Sequence, residues 1–418
     1  MPEFERDLSK YAELIVKIGA NVQQGQDVYV SSQIEGARLA RLVVEHAYKA
    51  GAGNVVVDWA DDTLTRLKYD HAAAEVFTQF PEWEKLRRNE VVERGGCFIF
   101  LNSSNPDLLS GVDPKKIGSY QKAAGEALAV YRQATASDKI AWTIAGSATK
   151  AWAAKVFPGE SAEMSVRKLW QSIFDAVRLH ADDPVENWRA HDANLQDRAA
   201  WLNEQRFDKL RYRAPGTDLT IGLPKGHLWM TAGGTKPDGV GFMKNMPTEE
   251  VFTVPYRDGV SGYVSSSKPL SYSGTLIDRF KLTFEEGRIV GVEAEEGEEM
   301  LRQIVETDDG SHYLGEVALV PHRSPISNAN ILFYNTLFDE NASNHLAIGL
   351  GFPFTLEGGK TMSPEALREA GGQRQRRPRR LHDRKGRHGH RRHSGGRNGG
   401  ACIPERELGG LTYAQPVI

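Results

Sequence analysis

Four side chains in the second half of this sequence are of the types that hold divalent cations: Glu250, Glu316, Glu340 and His345. Glu250 closes a turn-like stretch, Asn245-Met246-Pro247-Thr248-Glu249-Glu250, that runs into the strand-like Val251-Phe252. Glu316 opens the strongly apolar run Glu316 to Leu319, and a buried charge there would need a partner. Glu340 and His345 stand five positions apart, so they converge only if Asn341 to Asn344 turns the chain, and Asn and Ser favour such turns. Local spacing leaves the plainer readings open: two surface acids at 249 and 250, an exposed Glu316 at a strand end, and a His345 ring buried beside Leu346 and Ile348. Three carboxylates and an imidazole suffice for one first-row divalent ion, whereas a close pair of ions needs more ligands and a bridging carboxylate.

Other chemistries lack their local signatures. No HExxH sequence supports a single-zinc protease and no GxSxG elbow presents a serine nucleophile. GxGxxG and Walker sequences are also absent, so nucleotide binding has no support. Cys97 and Cys402, the two cysteines, can build neither a disulfide framework nor a thiolate cluster, which leaves oxygen and nitrogen as ligands.

The elements that must position these groups follow from periodicity. Glu3 to Ile18, Ala37 to Ala50 and Tyr120 to Gln133 have helical apolar spacing. Val28 to Val30, Val55 to Val57, Cys97 to Leu101 and Ile140 to Ile144 are short buried strands. This alternation predicts an α/β domain with a mainly parallel sheet over residues 1–205. Its end, Ser161 to Glu204, is a helical linker whose Trp170, Phe174, Trp188 and Trp201 are expected to pack inward. Beyond Arg213, strand-like runs at Leu219 to Leu223, Gly262 to Val264, Ile277 to Phe284, Arg288 to Glu293 and Glu316 to Leu319 alternate with turn residues, and Glu298 to Glu306 reads as a helix. Residues 206–370 are therefore expected to form an α+β domain carrying the candidate ligands.

With 418 residues, more than one domain is expected, and 40% hydrophobic and 26% charged residues describe a soluble globular protein. The opening MPEFERDLSKYAEL has no apolar leader and no run approaches eighteen apolar residues, so a cytoplasmic, membrane-free protein is expected. The net charge of −3 conceals an asymmetry: from Gly371 onward twelve Lys or Arg face three acids, a charge of +9, so the preceding 370 residues carry −12.

Three ordered stretches, NMPTEEVF (245–252), GEVALVP (315–321) and LFDENASNHLAIG (337–349), together with FERDLSKYAELIVKIGANVQQGQ at the start, resemble signatures of the M29 thermophilic aminopeptidases. The likeness runs to about Ala370. It implies an N-terminal α/β domain, a C-terminal metallopeptidase domain, and a homodimer that encloses the active-site cavity. It further implies two divalent ions (Co, Zn, Mn or Mg) and removal of N-terminal amino acids from peptide substrates. Glu250, Glu316, Glu340 and His345 fall on the family's metal-ligand positions, with Glu250 or Glu316 also a candidate proton carrier.

Two departures stand out. Phe352 occupies a position where the family commonly has tyrosine, so a hydroxyl is lost. From Gly371 the family pattern VNDSAVHVDFMIG, whose HVD supplies two further ligands, is replaced by GGQRQRRPRRLHDRKG, with Pro378 and Arg380 at the ligand positions. Codons compatible with Gly372 to Gly386, read one nucleotide later, spell VNDSAVHVDFMIGK; Ile403 to Gly410 likewise permits FRNGNWA. A displaced reading frame accounts for the basic 371–418 segment better than a nucleic-acid-binding arm would, and its His382, His388, His390 and His393 then need no metal role. A catalytically impaired homologue is the other reading.

Overall fold

The computed structural model describes residues 3–103, 105–272, 274–372 and, as backbone, 415–417. Pro378, Arg380, Cys402 and the tail histidines lie outside the described residues.

The first sheet has five strands, all parallel, in the order Asn245–Met246, Trp142–Gly146, Cys97–Asn102, Asp27–Gln33 and Asn54–Ala60. Four are strands expected from the sequence. The fifth, Asn245–Met246, arrives from far along the chain and pairs with Ile144 and Ala145 at the sheet edge. Two residues are too few to show periodicity, so this pairing was invisible in the sequence. Helices Glu3–Leu14, Ala37–Lys49, Ala162–Ala176 and Pro184–Gln205 pack around the sheet. The N-terminal helix passes at Ile15 into a wider turn that ends at Gly19. A Cβ there would stand 2.8 Å from Thr143 Oγ1 and 2.9 Å from Met246 Sδ, so only glycine admits this close approach.

Two expected elements divide. The Tyr120 to Gln133 helix is two helices, Pro114–Ala127 and Ala129–Ala136. The Ile277 to Phe284 strand is two strands, Thr275–Ile277 and Lys281–Glu285. Between them Asp278 bridges to Glu296 and Arg279 takes a left-handed φ of 46°, which turns the chain out of the extended direction.

The second sheet runs Gln415–Val417, His345–Ile348, Leu314–Leu319, Val251–Thr253 and Met230–Thr231. Its pairings are antiparallel except that of Gln415–Val417 with His345–Ile348. A third, wholly antiparallel sheet joins Arg288–Glu293, Lys281–Glu285, Val260–Ser265, Thr217–Gly222 and Lys209–Ala214. One apolar cluster fills the space around the parallel sheet, and it draws in Met246, Phe333, Leu337 and Phe338 from the second half of the chain. The other joins the antiparallel sheets to the helix Glu298–Val305. Trp170, Phe174 and Trp188 are buried in the first cluster, and Trp201 packs against the second.

Phe338 ties the candidate-ligand loop to the parallel sheet. It is fully buried, stacks on Phe333 at 4.7 Å and packs on Trp152 at 5.7 Å, and a Cβ on Gly146 would stand 2.8 Å from its ring. Trp152 in turn donates from Nε1 to Phe333 O at 2.5 Å. Replacing Phe338 by alanine is expected to lower stability in equilibrium urea unfolding by about 3–5 kcal/mol. Val290→Ala at a half-exposed position should stay within about 0.5 kcal/mol, and equal effects would refute this account of the core.

Cys97 gives a pH signature. Burial pushes its thiol up from the ordinary 9.0 to about 12. The unfolded chain therefore loses this proton first; the contribution is whole below the unfolded value and is lost as pH rises toward the folded one. The urea midpoint should fall between about pH 9 and 12, and Cys97→Ala should show a shallower fall.

Candidate functional site

The polypeptide leaves the parallel sheet through Asn245–Met246, passes a cis Met246–Pro247 peptide, and four residues after that proline enters the second sheet at Val251. Glu250 thus sits where one sheet hands the chain to the other. Register then decides which side chains share a face. Phe252 pairs with Ala318, and Ala318 with His345, in one row across three strands. Val251, Val317, Leu319 and Leu346 alternate with that row and face the second core. Period-two alternation consequently puts Glu250, Phe252, Glu316, Ala318 and His345 on the opposite face.

There the ligand-type atoms of Glu250, Glu316 and His345 lie within 4.8 Å of one another. His345 Nε2 is 2.9 Å from Glu250 Oε2 and 3.6 Å from Glu316 Oε1. Glu250 and His345 are buried, and Glu316 is largely so. His345 Nδ1 lies 3.3 Å from Ser343 O; a carbonyl can only accept, so Nδ1 carries the proton in that contact and Nε2 is turned to the carboxylates.

Glu340 comes from a different element. The short helix Thr336–Asp339 is capped by Asn335, whose Oδ1 accepts from Leu337 N at 3.2 Å. Asp339 fixes the preceding loop by accepting from Phe333 N at 2.7 Å and Asn335 N at 2.9 Å. One further tight turn, Glu340–Ala342, brings the chain to His345. The turn required between Glu340 and His345 therefore exists, and its asparagines are bonded into the site. Asn341 Oδ1 accepts from Glu249 N at 2.7 Å and Asn344 Oδ1 from Val320 N at 2.8 Å. Glu340 lines a cavity of about 370 Å³ together with Asn102, Ile144, Asn245, Tyr334 and Asn335.

The electrostatics are those of crowded acids. Burial raises Glu340 well above the ordinary carboxyl range, and the Glu250 charge adds to this. Glu316 is raised by burial and by Glu250 against the opposing contact with His345. Burial alone would lower His345, but Glu250 and Glu316 together hold it well above the usual imidazole range. Glu250 Oε2 remains without a hydrogen-bond partner, so its 2.9 Å approach to His345 lacks hydrogen-bond alignment. A buried carboxylate oxygen with no donor, beside an imidazole nitrogen and the Glu316 carboxylate, fits a divalent cation, and Glu340 lies outside this converging group of three.

Sequence reasoning did not reach Glu249's environment. Glu249 is only 2% exposed and is paired through both carboxylate oxygens with Arg178, a residue seventy-one positions earlier. No local pattern marks such a partner. Phe352 is 41% exposed and stacks on Phe354 at 5.0 Å; both rings flank Phe252, whose row leads to His345. No helix among the described residues is long and apolar enough to cross a membrane.

The family model for the thermophilic metalloprotease (M29) matches residues 4–374, ending where the Arg-rich segment begins. Aminopeptidase AmpS of Bacillus subtilis is 55% identical over 371 residues, 89% of this chain and 90% of that protein. Aminopeptidase 2 of Geobacillus stearothermophilus is 45% identical over the same shares of the two chains. The solved structure of wild-type AmpT from Thermus thermophilus superposes with a TM-score of 0.83 at 40% identity, covering 89% of this chain and 91% of that one.

In metal-free protein, His345→Ala leaves buried carboxylates with no cation and should cost about 3–5 kcal/mol in urea unfolding with chelator present. Glu250→Gln removes one of the crowded charges and should cost much less. A larger loss for Glu250→Gln than for His345→Ala would overturn this electrostatic picture.

Proposed function

The chain belongs to the thermophilic metalloprotease (M29) family, and from that premise we propose that it releases N-terminal amino acids from peptides using Glu250, Glu316, Glu340 and His345 as ligands for two divalent ions. The chain is an enzyme of a metalloaminopeptidase family, which implies a divalent metal. The single observation that carries the site reading is the convergence of Glu250, Glu316 and His345 within 4.8 Å, with Glu250 Oε2 lacking any donor. Oxygen and imidazole donors suit Co, Zn, Mn or Mg without selecting among them.

Divalent metal held by these residues would supply polarisation of the scissile carbonyl and a water of lowered pKa. The chain's own residues do the rest. Ser343 O sets the His345 tautomer so that Nε2 is the ligand atom. Glu250 or Glu316 carries a proton from water to the leaving amine, and Glu316 is the more open of the two, at 15% against 7% side-chain exposure. The cavity lined by Glu340 would give the peptide a place next to that carboxylate.

Domains at 1–205 and 206–370 and a cytoplasmic homodimer complete this reading. The family match stops at residue 374, consistent with a one-nucleotide displacement of frame after Gly371. The proposed second ion then lacks the two ligands that Pro378 and Arg380 replace.

The test compares this chain with one whose terminal segment begins VNDSAVHVDFMIGK, each assayed for release of N-terminal residues with added Co²⁺ or Zn²⁺. Robust turnover is expected from the restored chain and little from the other. No turnover from the restored chain would reject the aminopeptidase reading, and equal turnover would reject the need for the two ligands. Sequencing the coding region across Gly371 decides the frame. In the restored chain, Phe352→Tyr supplies the missing hydroxyl and should raise kcat, by up to about 10² if it acts as an oxyanion donor. An unchanged kcat would remove Phe352 from the chemistry.

A further inference from the structure

We propose that Arg178 is a positioning residue for Glu250, acting through Glu249; this rests on the reading of Glu250 as an ion ligand. Arg178 follows the helix Ala162–Ala176 in a left-handed conformation, φ 56°, and grips Glu249 with a fork of two bonds, Nη1 to Oε1 at 2.5 Å and Nη2 to Oε2 at 2.8 Å. Two parallel N–H to O bonds fix both the place and the plane of a carboxylate, which a single point charge cannot. His191, on the helix Pro184–Gln205, donates from Nε2 to Thr248 O at 2.8 Å and stands against the edge of Trp188. From the opposite side Asn341 holds Glu249 N at 2.7 Å. Thr248 and Glu249 are thus held by Arg178, by His191 and by the loop that carries Glu340.

Extended backbone sends neighbouring side chains to opposite sides, so fixing Glu249 toward the helices aims Glu250 toward Glu316 and His345. Packing alone does not hold Glu249 in place. It lines a cavity of about 260 Å³ whose wall includes Arg198, Trp201 and Leu202. Space is therefore available for Glu249 to swing away from Arg178. The fork is what selects one arrangement, and the Glu250 direction goes with it.

The experiment uses the full chain and the variants Arg178→Gln, Arg178→Lys and Glu249→Gln. Deuterium exchange is followed across the peptides, Co²⁺ affinity is titrated by visible absorption, and the thermal midpoint is recorded. In Arg178→Gln, exchange should rise selectively over residues 245–253 and Co²⁺ affinity should fall about 10- to 100-fold. Arg178→Lys keeps the charge without the fork and should lie between. Should Arg178→Gln fail to fold, Glu249→Gln, which retains the shape and one acceptor oxygen, must show the same selective rise in weaker form. Unchanged exchange over 245–253 in a folded variant overturns the proposal. So does a rise spread evenly over the chain with a matching fall in the thermal midpoint, since that marks a merely structural pair. If the unsubstituted chain binds no Co²⁺, the ion-binding reading fails, while the exchange pattern still decides whether Arg178 positions this segment.

Discussion

Burying several carboxylates around one imidazole is the constraint on which the rest of this structure depends. Glu250, Glu316 and Glu340 repel one another in a low-dielectric setting, and His345 alone cannot neutralise three charges. Such a cluster persists only where the scaffold is rigid enough to hold it or a cation compensates it. The fold supplies the first condition and the donor set invites the second.

Rigidity comes from joining two sheets of different character. The parallel sheet, enclosed by helices, delivers Asn245–Met246 along its edge. After four intervening residues the second sheet takes up the chain, and its register sets Phe252, Ala318 and His345 in one row. Phe338 and Trp152 then fasten the Glu340 loop against the first sheet. Each candidate ligand is anchored in a different element, so its place in the cluster is a property of the assembled molecule.

The parts of the chain inside and outside the family match fall differently on this framework. Everything that builds the cluster lies within the 4–374 family match, including Asn341 and Asn344, whose side chains close backbone bonds across the site. Phe352 retains an aromatic ring beside Phe252 and Phe354 but brings no hydroxyl to the site face. The basic segment beyond residue 374 has no counterpart in the match, which places the departure after the four candidate ligands.

Most of the fold class was legible along the chain because apolar runs such as Cys97–Asn102 and Asp27–Gln33 are buried strands with strong local signals. Candidate ligand types were legible too, since acids and a histidine beside turn residues at 250, 316, 340 and 345 advertise their chemistry locally. Tertiary structure alone decided the rest. Asn245–Met246 pairs with a strand about a hundred positions earlier, and Arg178 meets Glu249 across seventy-one residues. Neither contact leaves a periodic trace, because the energy of a strand edge or an ion pair depends on which partner the folded chain brings near. Residue types and the turns between them fixed what chemistry was available; packing and register decided which groups would meet to perform it.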